Sequence, residues 1–250
     1  MKRTSVAAAA GAAAVATGAI VASSYISLTA VALIVGAAVV LAAVGWPYVL
    51  GVPARKSQSA AIGLSALLAV VLTATTPGPS FLAWFPASVA LGVGAVFMIQ
   101  LIRGTGQSHR LESTLGASSG VVAVAMGAGW VAAERLAVNA TDSGVMLVTG
   151  ISILVAIAGC LLPFPDRLVA PAVVVLAALA GPLGALLFTD VPALSAAVVG
   201  LACGTVIAGT RRLLVAREAS LPTIAALASG VTPVLAIGAV VYFLDKLFLS

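Results

Sequence analysis

The chain has 250 residues, of which 62% are hydrophobic and only 8% are charged. Soluble domains carry about 25% charged residues because their surfaces face water. The composition therefore excludes an ordinary soluble domain and predicts an all-α, polytopic bundle of transmembrane helices. At roughly 20 residues per spanning helix, residues 1–250 have room for about nine spans in a single integral membrane domain.

The formal net charge is +5, which in a soluble protein would suggest a nucleic-acid partner. Here the basic residues lie in short segments between apolar runs, where the bias of cytoplasmic loops towards Lys and Arg explains them better. We therefore expect membrane lipids and other integral membrane subunits as partners, and no nucleic acid.

Nine apolar runs are predicted to span the membrane, and short segments rich in Gly, Pro or basic residues separate them. The runs are Ser5–Ser23, Leu28–Leu50, Ala60–Thr75, Phe81–Ile102, Leu115–Ala133, Val145–Leu162, Val169–Phe188, Ala193–Gly209 and Thr223–Leu244. The longest predicted outer loop follows the fifth run and extends from Glu134 to Ser143.

The distribution of Lys and Arg predicts the orientation. If the N-terminus is cytoplasmic and each run crosses once, ten of the 12 basic residues lie inside and only Arg135 and Lys246 lie outside. This split follows the positive-inside rule and predicts a multi-pass protein of the cell inner (plasma) membrane, with its C-terminus outside. Aromatic residues at the predicted span ends are expected at headgroup level: Trp46, Tyr48, Trp84 and Trp130.

The first run admits a second interpretation. Lys2 and Arg3 precede an Ala-rich stretch that ends in small residues, a pattern that is also typical of a cleaved signal peptide. An uncleaved first span is the favoured interpretation, and cleavage is the alternative.

Groups that carry chemistry are scarce. No Asp, Glu, His, Lys or Arg lies in the middle of a run, although ion-coupled carriers usually need such a group at membrane depth. The one histidine, His109, lies in a basic loop, and Cys160 and Cys203 lie inside apolar runs. Metal and haem sites need clustered ligands. We therefore expect no enzymatic activity, no catalytic residue, no metal site and no cofactor.

Two predicted cytoplasmic loops carry candidate contacts for anionic lipid headgroups. These residues are Arg103, Arg110, Arg211 and Arg212. Arginine side chains and the backbone N–H groups of a Gly-containing loop can hold a lipid phosphate. The simpler alternative, which is favoured, is a pair of flexible turns whose charge reflects only the positive-inside bias.

Prolines and glycines inside the runs indicate kinks and close packing. Pro182 and Pro233 could break their helices around a solute, as in carriers, but plain kinks are common in membrane helices and are favoured. The pairs Gly116–Gly120 and Gly200–Gly204 are typical of helices that approach closely. Which helices meet is not readable from the sequence.

The segment Gly45–Pro53, with sequence GWPYVLGVP, and the general Ala/Val/Leu/Gly texture resemble uncharacterised actinobacterial membrane proteins that are often labelled permeases. In size and lack of ligands the chain is also similar to small accessory subunits of actinobacterial assemblies, including the cytochrome bcc–aa3 respiratory supercomplex. The resemblance implies no residue roles. It leaves two hypotheses: a non-catalytic accessory or scaffold subunit, which is favoured, or a permease or lipid-handling carrier for a small solute.

Overall fold

A computed structural model describes residues 3–51, 55–78, 80–102, 110–139, 144–215 and 221–248. In these ranges the chain forms ten helices: α1 (Arg3–Ser24), α2 (Leu28–Leu50), α3 (Arg55–Thr75), α4 (Phe85–Ile102), α5 (Arg110–Ala125), α6 (Ala128–Asn139), α7 (Val145–Cys160), α8 (Asp166–Phe188), α9 (Ala193–Val215) and α10 (Thr223–Phe248). Eight helical segments are long and apolar enough to cross a membrane, and α7 is a shorter apolar helix of 16 residues. The protein is therefore an all-helical, multi-pass membrane protein.

Helix α2 coincides residue for residue with its predicted run because both of its ends carry strong local signals. The side-chain oxygen of Ser27 accepts a hydrogen bond from the backbone N–H of Ala30 at 3.1 Å and caps the N-terminus. Gly51 adopts the left-handed conformation, with φ of 70°, and its N–H bonds to the carbonyl of Pro47. Pro47 itself is accommodated inside the helix.

The fifth predicted run is one candidate span, Leu111–Ala137, but a turn at Met126 and Gly127 divides it into α5 and α6. Helix α6 continues to Asn139, so the predicted loop that starts at Glu134 is wrong at its beginning. The remainder of that loop, residues 140–143, lies outside the described residues. The helix continues because Glu, Arg, Leu and Ala all have good helix propensity.

Helix α10 lies at the centre of the bundle and packs on α1, α2, α6 and α9. Helices α3, α4 and α5 form one flank, and α7, α8 and α9 form the other. Burial follows this arrangement. Of the membrane-spanning stretch of α10, 78% is buried inside the protein, whereas only 22% of that of α4 is buried. The outer surfaces of the peripheral helices are therefore the surfaces that meet lipid or other membrane proteins.

Glycines set the closest helix contacts. A Cβ placed on Gly129 of α6 would overlap the backbone of Ala239 in α10. Both glycine pairs singled out in the sequence lie at such contacts. The pair Gly116–Gly120 faces α2, through Leu50 and Trp46, and the pair Gly200–Gly204 faces α8. Small residues let these backbones approach and maximise van der Waals contact.

The glycine contacts also show how α7 and α8 run relative to each other. The start of α7, at Gly144, lies against Thr189 at the end of α8, and Gly159 lies against Val173 near the start of α8. Helix α7 therefore runs antiparallel to α8 over its whole length.

The three tryptophans differ in how far they are buried inside the protein. Trp130 has no exposed surface, and its indole N–H donates to the carbonyl of Val234 in α10 at 2.8 Å. Trp46 is half-buried and donates to the carbonyl of Gly116 at 3.0 Å. Trp84 is 53% exposed, as an interfacial residue would be. Trp130 therefore has a packing role, since its ring ties α6 to α10, and the headgroup-level position of these residues stays a prediction.

Candidate functional site

A half-open cleft with a volume of about 110 Å³ lies between α1, α7, α9 and α10. Its walls are mainly small or apolar residues: Val6, Ala9, Ala10, Ala13, Ile157, Cys160, Leu161, Ile207, Thr210, Arg211, Ser229, Gly230 and Pro233. The alanines of α1 recur at helical spacing, so one stripe of that helix forms a wall. At Gly230 a Cβ would overlap the backbone of Ala9, so α1 and α10 touch directly there.

Among the described residues that line this cleft, Arg211 is the one with a charged side chain. The two hydroxyl groups in the wall are bonded within their own helices. Thr210 donates to the carbonyl of Val206 at 2.8 Å, and Ser229 donates to that of Ala226 at 2.7 Å. The cleft therefore combines an apolar interior with one guanidinium group, which suits an amphiphilic anion better than a polar solute.

Of the four arginines predicted to contact lipid, the structure describes the side chains of Arg211 and Arg212, which lie in different places. Arg211 lies in the cleft, whereas its neighbour Arg212 lies in a separate groove between α8 and α9, beside Pro171 and Thr205. Arg110 begins α5, and nothing is described of its side chain. Arg103 lies outside the described residues. The structure thus assigns Arg211 and Arg212 to two different surfaces.

A buried polar cluster that the sequence reasoning missed joins α3, α4 and α5. The amide nitrogens of Gln58 and Gln100 both donate to the side-chain oxygen of Ser113, at 3.0 and 2.9 Å. Gln58 has no exposed surface and Gln100 is 4% exposed. Within the described residues the Oε1 atom of Gln58 has no hydrogen-bond partner. The sequence does hold a signal for this cluster. Two glutamines lie at the ends of apolar runs, where burying an amide without a hydrogen-bond partner costs free energy.

A second polar feature lies where α3 ends. The guanidinium of Arg135, from α6, donates to the carbonyls of Thr73 at 2.6 Å and Thr76 at 2.9 Å. It also lies 4.2 Å from the ring centroid of Phe81. The arginine satisfies carbonyls that the end of a helix leaves unpaired and makes a cation–π contact. Arg135 therefore has a structural role in holding α6 on α3.

Two carboxylates are more buried than the sequence predicted. Glu134 is 5% exposed and Asp245 is 4% exposed, and each lies close to the end of a candidate span. Their position at span ends agrees with the prediction, but their enclosure by neighbouring helices does not follow from it. Within the described ranges, no group of three His, Cys, Asp or Glu residues could hold a metal ion.

The other buried hydroxyl groups are mostly bonded inside their own helices. Thr17, Ser65, Thr149, Ser152 and Thr232 each donate to the carbonyl four residues earlier, at 2.6–2.9 Å. Serine and threonine commonly make this bond in membrane helices because no water is available. These side chains therefore fill the interior as small, internally satisfied groups.

Comparison of the chain with protein-family models, with curated proteins and with solved structures finds no match.

Proposed function

We propose that this protein is a non-catalytic accessory or scaffold subunit of a larger bacterial membrane complex. The observation that carries the proposal is the bonding of buried hydroxyls within their own helices, as for Thr149 and Ser152 at the centre of α7. A carrier for a polar solute needs hydroxyl or backbone groups that face a shared cavity. Here most of the buried hydroxyl groups are already bonded within their own helices, and among the described residues the Oγ atom of Ser118 is the buried exception. The helices pack against one another through Gly and Ala.

The two prolines considered as transport elements support the same proposal. Pro182 lies inside α8 and Pro233 inside α10, and both helices continue through them. Carriers that bind solutes at mid-membrane often use unwound helices whose freed backbone groups coordinate the solute. The helices are continuous at Pro182 and Pro233, as expected if these prolines only kink them.

The proposed topology has nine crossings with a cytoplasmic N-terminus. Helix α7 is the ninth crossing in addition to the eight longer segments. Its 16 residues give about 24 Å of helix, shorter than the roughly 30 Å hydrocarbon core, but it pairs with the longer α8 from Gly144 to Gly159. If α7 also crosses, ten of the 12 basic residues lie on the cytoplasmic side and two lie outside, a distribution that favours this orientation.

An accessory subunit needs surfaces that other membrane proteins can cover. The exposed faces of α4 and α8 supply two such surfaces, with Phe97 and Leu101 on the first and Leu183 and Leu187 on the second, all more than half exposed. The cytochrome bcc–aa3 respiratory supercomplex is the specific candidate partner. We propose it because the chain is similar, in size and lack of ligands, to small accessory subunits of such assemblies.

The direct test is purification of the tagged protein from native membranes in mild detergent, followed by mass spectrometry. Stoichiometric recovery of a respiratory or envelope complex is expected. The double variants Phe97→Ala/Leu101→Ala and Leu183→Ala/Leu187→Ala provide matched tests of the two faces. Loss of the partner with one pair and retention with the other would locate the interface. Recovery of the protein alone from native membranes would contradict the proposal.

A lipid-handling carrier is the second candidate, and the cleft with Arg211 is the observation that favours it. This candidate predicts that the purified protein, reconstituted alone, moves labelled lipid between the leaflets of vesicles. An accessory subunit is expected to leave the rate at that of protein-free vesicles.

A further inference from the structure

The cleft lies near one end of the bundle, beside the start of α1 and the ends of α7 and α9. Its wall on α10 extends from Ser229 to Pro233, about 6 Å of helix, and its wall on α1 extends from Val6 to Ala13, about 10 Å. The hydrocarbon core of a bilayer is about 30 Å thick, so half of it is about 15 Å. The cleft is therefore shorter than the hydrocarbon layer of one leaflet, and its length suits part of one acyl chain.

The charge lies at the shallow end of the cleft. Arg211 is in the last turns of α9, which ends at Val215, and Leu161 directly follows the end of α7. The deeper part of the wall, around Ala13 and Ile157, is apolar. A charged group near the membrane surface above an apolar groove reproduces the order of headgroup and chain in a lipid.

We propose that this cleft binds one acidic phospholipid, with an acyl chain in the groove between α1 and α10 and its phosphate on Arg211. Arginine suits this role because the guanidinium presents several N–H donors to phosphate oxygens in a fixed plane. The half-open shape lets the chain enter sideways from the bilayer and lets the remainder of the lipid stay in it. The proposal does not depend on the accessory function, because a lipid can be bound with or without a partner complex.

The test is native mass spectrometry of the full chain after reconstitution into phosphatidylcholine vesicles with or without phosphatidylglycerol. The parent protein is expected to retain one phosphatidylglycerol molecule in preference to phosphatidylcholine. Arg211→Gln is expected to lower that retention about fivefold, while Arg211→Lys retains most of it. Arg212→Gln is the matched control, since it removes an adjacent positive charge that lies outside the cleft.

A steric pair tests the groove separately from the charge. Ala10→Phe places a ring in the wall and is expected to displace the lipid although Arg211 remains. Ala7→Phe is the control on the same helix, because Ala7 is exposed and does not line the cleft. Equal retention in the parent, Arg211→Gln and Ala10→Phe would overturn the proposal. Loss with Arg212→Gln but not with Arg211→Gln would move the site to the groove between α8 and α9 and overturn it as well.

A third measurement tests lipid binding without a substitution in the wall of the cleft. Cys160 lines the cleft, whereas Cys203 is fully buried outside it and can be replaced by Ala to leave one thiol. Phosphatidylglycerol is expected to slow alkylation of Cys160 by a lipid-soluble maleimide severalfold, and phosphatidylcholine is expected to have little effect. The same rate with both lipids would contradict the proposal.

Discussion

The contact between α6 and α10 offers the sharpest test of how the bundle is held together. Gly129 lies so close to α10 that a Cβ there would overlap the backbone N and Cα atoms of Ala239. Non-bonded carbon atoms prefer about 3.5–4.0 Å, so Gly129→Ala requires the two helices to separate by roughly 1 Å. A backbone contact cannot be relieved by rotation of a side chain. The separation would also disturb the indole hydrogen bond from Trp130 to Val234.

We expect Gly129→Ala to lower the free energy of unfolding by about 1–3 kcal/mol, the usual range for overpacking. For a chain of this size, 1 kcal/mol corresponds to about 2–4 °C in Tm, so the expected fall is about 2–12 °C. Tm would be followed by tryptophan fluorescence in one detergent at one scan rate, because membrane proteins often unfold irreversibly.

Gly94→Ala is the matched control for this experiment. A Cβ at Gly94 of α4 would meet no atom within 4 Å, and replacing Gly by Ala inside a helix contributes about 0.5–1 kcal/mol to its stability. We therefore expect an unchanged or slightly higher Tm. A Gly129→Ala protein as stable as Gly94→Ala would refute the proposed packing of α6 on α10.

The remaining predictions use the same unfolding measurement. Ser113→Ala leaves two buried glutamine amides without their shared acceptor and is expected to lower the free energy of unfolding by about 1–3 kcal/mol. Ser119→Ala, on the exposed side of α5, is the control and is expected to change it by less than about 0.5 kcal/mol. Equal effects of the two variants would contradict a stabilising role for the glutamine–serine cluster. Trp130→Phe keeps an aromatic ring but removes the N–H donor to Val234, with an expected loss of about 1 kcal/mol; no change in Tm would show that this bond contributes nothing. Arg135→Met removes the donors to the end of α3 and is expected to cost about 1–2 kcal/mol, a result that an unchanged Tm would contradict.

The sequence predicted those helix ends that depend on local chemistry. Ser27 and Gly51 fix α2, and both signals are readable without knowledge of its neighbours. Hydropathy also predicted the approximate positions of the other long helices. At Glu134 the prediction failed because a charged residue was interpreted as the beginning of a loop, whereas the helix continues to Asn139 and its neighbours enclose the carboxylate.

The candidate site could not be predicted because it depends on which helices meet. Arg211 and Arg212 are adjacent in the sequence and looked equivalent, but helix geometry rotates successive residues by about 100°, so they lie in different grooves. Trp130 illustrates the same limit. Its place near the end of an apolar run suggested the membrane interface, but the sequence does not reveal that the ring is fully buried and bonded to Val234 of α10. In a chain with Ala and Gly on most helix faces, hydropathy does not distinguish a face that meets lipid from one that meets protein.

The cleft follows from the same small residues that pack the remainder of the bundle. Where Gly230 meets the backbone of Ala9, small side chains bring two helices together. Beside that contact, the short side chains of Ala10 and Ala13 line a gap of about 110 Å³. A chain from the surrounding bilayer can fill it with little rearrangement of the protein. A bound lipid would then act as part of the packing between α1 and α10, which is why its removal is expected to lower stability as well as occupancy.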